Sequence, residues 1–431
     1  MASIRPLNGF RDFYPAAFAE RAHIFATWRR VAARYGFVEY DGPPLEPLEL
    51  YTKKSGAEIV DQLYNFVDKG GRDVSLRPEM TPTVSRMVAA QANALRKPVR
   101  WFSIPQLFRY ERAQRGRLRE HFQLNADIFG DGGESTDAEL LALVIDILRE
   151  FGLTGDDVRV RLSDRRLLNV VLRTLQHPDD RFPAIYAVLD KLDRQPRETS
   201  VEKLLAAGCT PPQVDELLAL IEATQAQGIS ALTSVLRDGE GAARLIAIQE
   251  TLSMTESLIG TAVAPWVRID LTIVRGLAYY TGIVFEVFDA KGELRAVCGG
   301  GRYDELLKAL GGVDMPAAGF GWGDVVLGEL LRDRGLLPSA PPSPEFWVAA
   351  TDDVDAATIR QTVGVLRRAG RRVEYALRPQ QLGKQLKAAV SAGAAHALIL
   401  RGEASGEGTL RDLTSGEETS VVLATWLAGQ Q

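Results

Sequence analysis

FRYERAQRGRLREHFQLNADIFG, residues 108–130, decides how the rest of this chain is read. Its first half carries five arginines, Arg109, Arg112, Arg115, Arg117 and Arg119, against one acid, Glu111. Gly116 lets this run turn back on itself. A charge run of this kind is most often a solvated hairpin loop, but clustered guanidiniums also match the geometry of phosphate oxygens. The second half alternates. Phe122, Leu124, Ala126 and Ile128 suit a packed face, while Gln123, Asn125 and Asp127 occupy the other. Asn and Asp are poor strand residues, so a polar row here fits either a solvent-facing strand or the floor of a cleft. Pattern alone does not separate the two. If it is a cleft, the strand offers donors and acceptors for a small polar ligand, with arginines above it for phosphates. His121, beside the strand, is expected on the apolar side with the even-numbered residues, in a structural role.

Two further segments share this mixture. LRPEMTPT (76–83) sets Glu79 and Thr81 among prolines that stiffen the backbone. IVRGLAYYTGIVFEVF (273–288) puts Arg275 before a glycine and ahead of the pair Tyr279–Tyr280. GGGR (299–302) reads as a tight turn or as a backbone nest for an anion. Gly319, Gly321 and Gly323 are spaced by two, which is not the dinucleotide fingerprint. P-loop, HExxH, CxxC and GxSxG patterns are absent from the sequence.

The chain has 431 residues, 46% hydrophobic and 25% charged, which suggests two or three folded domains. A formal net charge of -5 confines any nucleic-acid contact to local patches. Two cysteines, Cys209 and Cys298, exclude a disulfide-stapled scaffold and a multi-cysteine zinc site. No apolar stretch reaches membrane-spanning length, and MASIRPLNGFRDFYP lacks the apolar core of a signal peptide. A cytoplasmic protein without membrane contact is expected.

Residues 16–35 read as a helix with Ile24, Trp28, Val31 and Tyr35 on one face, and residues 84–97 as another. Residues 136–151 form a third, with Thr136 as its cap candidate. From about 165 to 262 the sequence turns Leu/Ala-rich and helical, like an inserted module. LLPSAPPSPE (336–345) holds four prolines and reads as a linker. Beyond it a βαβα pattern announces a small α/β domain.

Taken in order, LRPEMTPT, FRYERAQRGRLREHFQLNADIFG, VRGLAYYTGIVFEVF, GGGRYDELLKALGG and PAAGFGWGD resemble histidyl-tRNA synthetase, a class II aminoacyl-tRNA synthetase. NGFRDFYP near the start and LRPQQLGKQLKAA and TLRDLTSGE near the end extend the resemblance over almost the whole chain. REHFQLN and GFGWGDVVLGELL are most similar to the plant-organelle-like branch. The implied fold is α+β. It has an antiparallel class II sheet flanked by helices in a catalytic domain (1–335) with a helical insertion at about 165–262. The linker (336–345) and a C-terminal α/β anticodon-binding domain (346–431) complete it. The implied activity joins histidine to tRNA(His) through an adenylate, using ATP and Mg2+, in a homodimer with Pro43 near the dimer contact. The alternative within the family is a histidine-sensing regulatory subunit of ATP phosphoribosyltransferase. Arg109, Arg275 and the C-terminal domain weigh against it.

The same resemblance assigns roles residue by residue. Arg109 and Arg275 would be catalytic at the α-phosphate and also touch histidine. Glu79 and Thr81 would bind the amino end. Gln123, Asp127, Tyr279, Tyr280 and Tyr303 would complete the histidine pocket, with Asp127 accepting from the imidazole. Arg117 would contact ATP phosphates. Arg371, Arg372, Arg378, Lys384 and Lys387 would form the tRNA patch, since residues 345–431 carry ten basic and ten acidic side chains and no net basic field. No metal ligands are assigned. Three departures stand out: Val326 where the family's motif-3 arginine is expected, Ala278 for an acid, and Asp127 where Glu is usual. Cys298 is expected to be a packed thiol.

Overall fold

A computed structural model describes residues 4–52, 60–237, 239–274, 279–338, 342–402 and 406–430. The chain divides into two compact units, Met1–Leu337 and Pro338–Gln431.

The first unit is built on strands β1 (Val38–Glu39), β2 (Leu45–Pro47), β3 (Tyr64–Val67), β4 (Asp73–Leu76), β5 (Val99–Ser103), β6 (Gln106–Phe108), β7 (Glu120–Phe129), β8 (Val158–Asp164), β9 (Val267–Ile269), β10 (Ile283–Asp289), β11 (Cys298–Arg302) and β12 (Ala317–Gly323). The main sheet runs β1-β5-β7-β12-β11-β10-β8-β9, with β6 paired to β7, and β2-β4-β3 form a small separate sheet. The six central strands are antiparallel, and only β1 and β9 at the edges pair in parallel.

The two-residue period explains which face is which. Leu124, Ala126 and Ile128 of β7, and Ala318, Phe320 and Trp322 of β12, share one face and are all buried. Helices Pro15–Arg34, Glu134–Glu150, Gly239–Ile259 and Asp324–Asp333 add Trp28, Leu141, Ile248 and Leu327 to the same core. Burial of each such side chain stabilises the fold by about 1.5–3 kcal/mol. The helical segment also contributes Leu167, Leu217 and Leu245 to this continuous core. The opposite face of the sheet therefore stays available for a cleft.

Several local expectations shift. Helix Glu134–Glu150 is capped at Gly133, where the Asp131 carboxylate accepts from the Gly133 amide at 2.8 Å, so Thr136 lies inside its first turn. The helix expected over 84–97 runs Thr81–Ala90, because Pro82 is welcome in a first turn. GGGR is neither turn nor nest. It is strand β11, in the middle of the sheet.

The second unit is a five-stranded sheet of β13 (Phe346–Ala350), β14 (Val373–Tyr375), β15 (His396–Leu400), β16 (Glu407–Asp412) and β17 (Glu418–Val422), in the order β14-β13-β15-β16-β17. The first three are parallel and connected through helices Ala356–Arg368 and Leu382–Ser391. The β16–β17 hairpin extends them in antiparallel fashion.

Candidate active site

The odd-numbered face of β7 meets the odd-numbered face of β12: Asp127 opposes Gly319, Asn125 opposes Gly321, and Gln123 opposes Gly323. The glycines spaced by two are thus the floor of a cleft. A Cβ on Gly319 would stand 2.0 Å from Asp127 Oδ1, and one on Gly321 would stand 2.8 Å from Gln123 Cδ. Only glycine leaves room here for the polar row of β7.

Asp127 is the deepest group, 2% exposed. The Tyr303 hydroxyl donates to its Oδ1 at 2.5 Å, while Oδ2 has no hydrogen-bond partner among the described residues. Burial pushes this carboxyl from its ordinary 3.8 up to about 7, and the Tyr303 hydrogen bond only partly opposes the shift. Tyr279 stacks edge-on against Tyr303, with centroids 5.9 Å apart, and lies 5.1 Å from the ring of Tyr280. The Tyr279 hydroxyl donates to Glu79 Oε2 at 3.2 Å. Glu79 is buried, and Thr81 opens helix Thr81–Ala90 beside it. Glu79, Asp127, Tyr279, Tyr280 and Tyr303 therefore form one polar and aromatic group.

Towards solvent this floor continues into a cavity of 620 Å³ lined by Arg109, Arg117, His121, Gln123, Glu286, Arg295, Gly321 and Val326, among others. Arg109 is anchored at both ends. Its amide donates to the Arg119 carbonyl at 3.0 Å, and its Nε donates to the Pro78 carbonyl at 3.0 Å, which ties the arginine loop to LRPEMTPT. The loop is a hairpin: Gln114 and Arg117 bridge, and Gly116 takes φ +72. Arg117 pairs with Glu111 at 2.5 Å, and Arg115 with Glu329 at 3.4 Å. A cleft with a carboxylate-and-tyrosine pocket at one end and guanidiniums at the other suits a small amine-bearing ligand beside a phosphate.

A family described as histidyl-tRNA synthetase matches residues 9–323. The chain belongs to that family. A histidine–tRNA ligase of Opitutus terrae is 45% identical over 423 residues, 98% of this chain and 96% of that protein. The chloroplastic/mitochondrial histidine–tRNA ligase of Arabidopsis thaliana is 37% identical over 425 residues, 98% of this chain and 85% of that protein. The crystal structure of histidyl-tRNA synthetase from Nostoc sp. PCC 7120 superposes with a TM-score of 0.84, covers 100% of both chains and is 24% identical, which supports the fold.

Against the family pattern, Arg275 and Ala278 lie outside the described residues. His121 departs from expectation. Alternation from Asp127 puts position 121 on the cleft face, and it lines the cavity with Gln123. Burial and the nearby charges of Arg109 and Arg11 push its imidazole from 6.5 down to about 3, so it stays neutral at physiological pH, with one ring nitrogen a donor and the other an acceptor. Cys298 is a buried thiol in β11, as expected, and Cys209 is buried too.

Three scaffold residues had no signal in the sequence. Arg77, 4% exposed, donates to Asp41 at 2.9 Å, to the Gly42 carbonyl at 2.7 Å and to the Gln106 carbonyl at 3.1 Å, and so fixes the approach to Glu79. Arg302 reaches Asp137 at 2.8 Å and the Gly133 carbonyl at 2.9 Å beneath the sheet, which holds its neighbour Tyr303 in place. Arg11 pairs with Glu120 at 2.7 Å and Asp324 at 3.0 Å, while Asp324 accepts from the Phe122 amide at 2.9 Å. This last network clamps the start of β7 to the end of β12. The Arg11–Glu120, Phe122–Asp324 and Arg302–Asp137 contacts each span more than a hundred residues of sequence, and Arg77 reaches Asp41 across 36.

Proposed function

We infer that this chain is a histidine–tRNA ligase. The observation that carries the reading is Asp127, held by Tyr303 on a glycine floor with one carboxylate oxygen unpaired, in a cleft that opens onto Arg109. Histidine binds with its imidazole N–H on Asp127. Its amino group lies at Glu79, Thr81 and Gln123, and Tyr280 closes the pocket. Its carboxylate then attacks the α-phosphorus of ATP. The new bond joins carboxylate oxygen to phosphorus, and the bond to the bridging oxygen breaks to release pyrophosphate. The nucleophile is already ionised, so catalysis is positioning plus charge stabilisation, supplied by Arg109 and Arg275. In the second step the terminal ribose hydroxyl of tRNA attacks the acyl carbon and AMP leaves.

Magnesium would neutralise phosphate charge. Among the described residues no group of three acidic, His or Cys side chains could hold a metal. The ion would therefore ride mainly on the phosphates, with Glu286 in the cleft as the protein's carboxylate.

We assign the functional division as catalytic residues 1–335 with the insertion at about 165–262, linker 336–345, and an anticodon-binding domain at 346–431. Arg378, Lys384 and Lys387 are exposed in that last region, while Arg371 and Arg372 share Glu345 at 3.7 and 3.0 Å. We assign all five to the tRNA patch, with Arg378, Lys384 and Lys387, which pair with no acid among the described residues, foremost. A homodimer is part of this reading, and exposed Val38 of β1, five residues before Pro43, with exposed Phe66 and Val67 of β3 would suit such a contact. Among the described residues no helix is long and apolar enough to cross a membrane, and we place the enzyme's work in the cytoplasm.

The test is histidine-dependent ATP–pyrophosphate exchange, with other amino acids as controls, for wild type and Arg275→Ala. Exchange with histidine alone, lost in the variant, is expected. Histidine binding without exchange would overturn the reading in favour of the regulatory subunit.

A further inference from the structure

Val326 leaves a gap in the nucleotide end of the cleft. It sits in the first turn of helix Asp324–Asp333, 8% exposed, and lines the cavity with an isopropyl group that no phosphate can use. A second side chain reaches the same spot from another direction. Arg295 lies on the 290–297 loop between β10 and β11 and lines the same cavity. The turn glycine of the arginine loop faces both: a Cβ on Gly116 would stand 3.4 Å from Val326 Cγ2 and 3.7 Å from Arg295 Cδ.

Two more guanidiniums approach. Arg117 comes from the arginine loop, and Arg194 from the short turn Leu192–Arg194 of the helical segment. The charges acting on Arg295 are those of Arg117, Arg194 and Glu111. Glu111 is already committed to Arg117 at 2.5 Å. Burial and the two neighbouring arginines lower the affinity of Arg295 for its proton, so the cluster is strained by its own charge. Glu286 and Glu293 also line the cavity. Three cations from three separate elements meet at this one cavity, and a polyanion there relieves their mutual repulsion.

We propose that Arg295, with Arg194 beside it, receives the outer phosphates of ATP, the role that position 326 cannot fill. The proposal rests on the cleft being the site of histidine activation. It gives the β10–β11 loop a task in substrate binding and makes the helical segment part of the nucleotide site.

The experiment is equilibrium titration of the full-length chain with ATP and, separately, with AMP, which lacks the outer phosphates. Wild type, Arg295→Ala and Arg295→Lys are compared, and Michaelis constants for ATP and histidine are read from pyrophosphate exchange. Loss of one charge-assisted contact predicts ATP binding weaker by about tenfold or more in Arg295→Ala. AMP binding and the histidine Michaelis constant should stay unchanged, and Arg295→Lys should recover part of the loss. Equal losses for ATP and AMP, or unchanged ATP binding, would overturn the proposal. Failure of the wild type to bind ATP would remove the activation reading itself, and the role of Arg295 with it.

Discussion

Replacing Asp127 with Asn should separate the cost of burying this carboxylate from the recognition role proposed for it. Asp127 is buried with one oxygen unpaired, and its carboxyl is raised from 3.8 to about 7. The folded protein therefore keeps a proton that the unfolded chain releases. Stability conferred by this group is full below pH 4 and declines as the pH rises towards 7. Between pH 5 and pH 7 the loss is about 1.36 kcal/mol per pH unit, so about 2.7 kcal/mol in all, and it levels off above that. Asn carries no such penalty. Its amide would instead leave donors unsatisfied, which costs about 1–3 kcal/mol at any pH. Comparing Asp127→Asn with wild type by denaturant unfolding at pH 5 and pH 8 cancels that constant term. The variant should be the less stable at pH 5. Its relative standing should improve by up to about 2.7 kcal/mol at pH 8. At the same time its Michaelis constant for histidine should rise by about tenfold to a hundredfold, because a charge-assisted hydrogen bond is lost. A stability difference that does not change between the two pH values would refute the argument, since it would mean that Asp127 ionises in the folded state as freely as in the unfolded one.

Two other substitutions probe independent parts of the molecule. Gly319→Ala would place a methyl 2.0 Å from Asp127 Oδ1, so the carboxylate must move. Histidine-dependent exchange should fall by at least about tenfold while the ATP Michaelis constant holds. A fully active variant would show that the floor of the pocket yields. In the C-terminal unit, Lys384→Glu with Lys387→Glu reverses two exposed charges on helix Leu382–Ser391, whose Gln385 and Ala389 are buried. Exchange should be untouched, the tRNA Michaelis constant should rise by about tenfold, and its salt dependence should weaken. An unchanged tRNA Michaelis constant would remove these lysines from the patch.

What the sequence made legible was whatever is written locally. The alternation of β7, the turn at Gly116 and the βαβα pattern after the prolines all depend on neighbours a few residues apart, and all appear in the structure. The motif order brought Glu79, Asp127 and Tyr303 into view, and the fold does gather them. What stayed hidden was settled at long range. GGGR looks like a turn until β10 and β12 flank it, when its glycines prove to be sites that neighbouring backbone leaves no room to fill. Arg11, Arg77 and Arg302 look like any surface arginines, because their partners lie far along the chain. His121 was legible after all: β7 runs unbroken from Glu120 to Phe129, so strict alternation puts position 121 with Gln123, Asn125 and Asp127 on the polar face, and the expectation of an apolar placement misapplied that parity.

The clamp between β7 and β12 also sets a timetable for making the protein. Tyr303 follows Asp127 by 176 residues, and Asp324 follows Phe122 by 202. At about 5–20 residues per second, the ribosome needs on the order of 10–40 s after β7 emerges to supply the segments that complete its pocket. During that interval Leu124, Ala126 and Ile128 form an unpaired apolar ribbon, the kind of segment that pairs readily with another nascent chain. The helical segment is translated inside this window, and its leucines share the core that will cover the ribbon. The pocket around Asp127 is thus among the last parts of the first unit to exist.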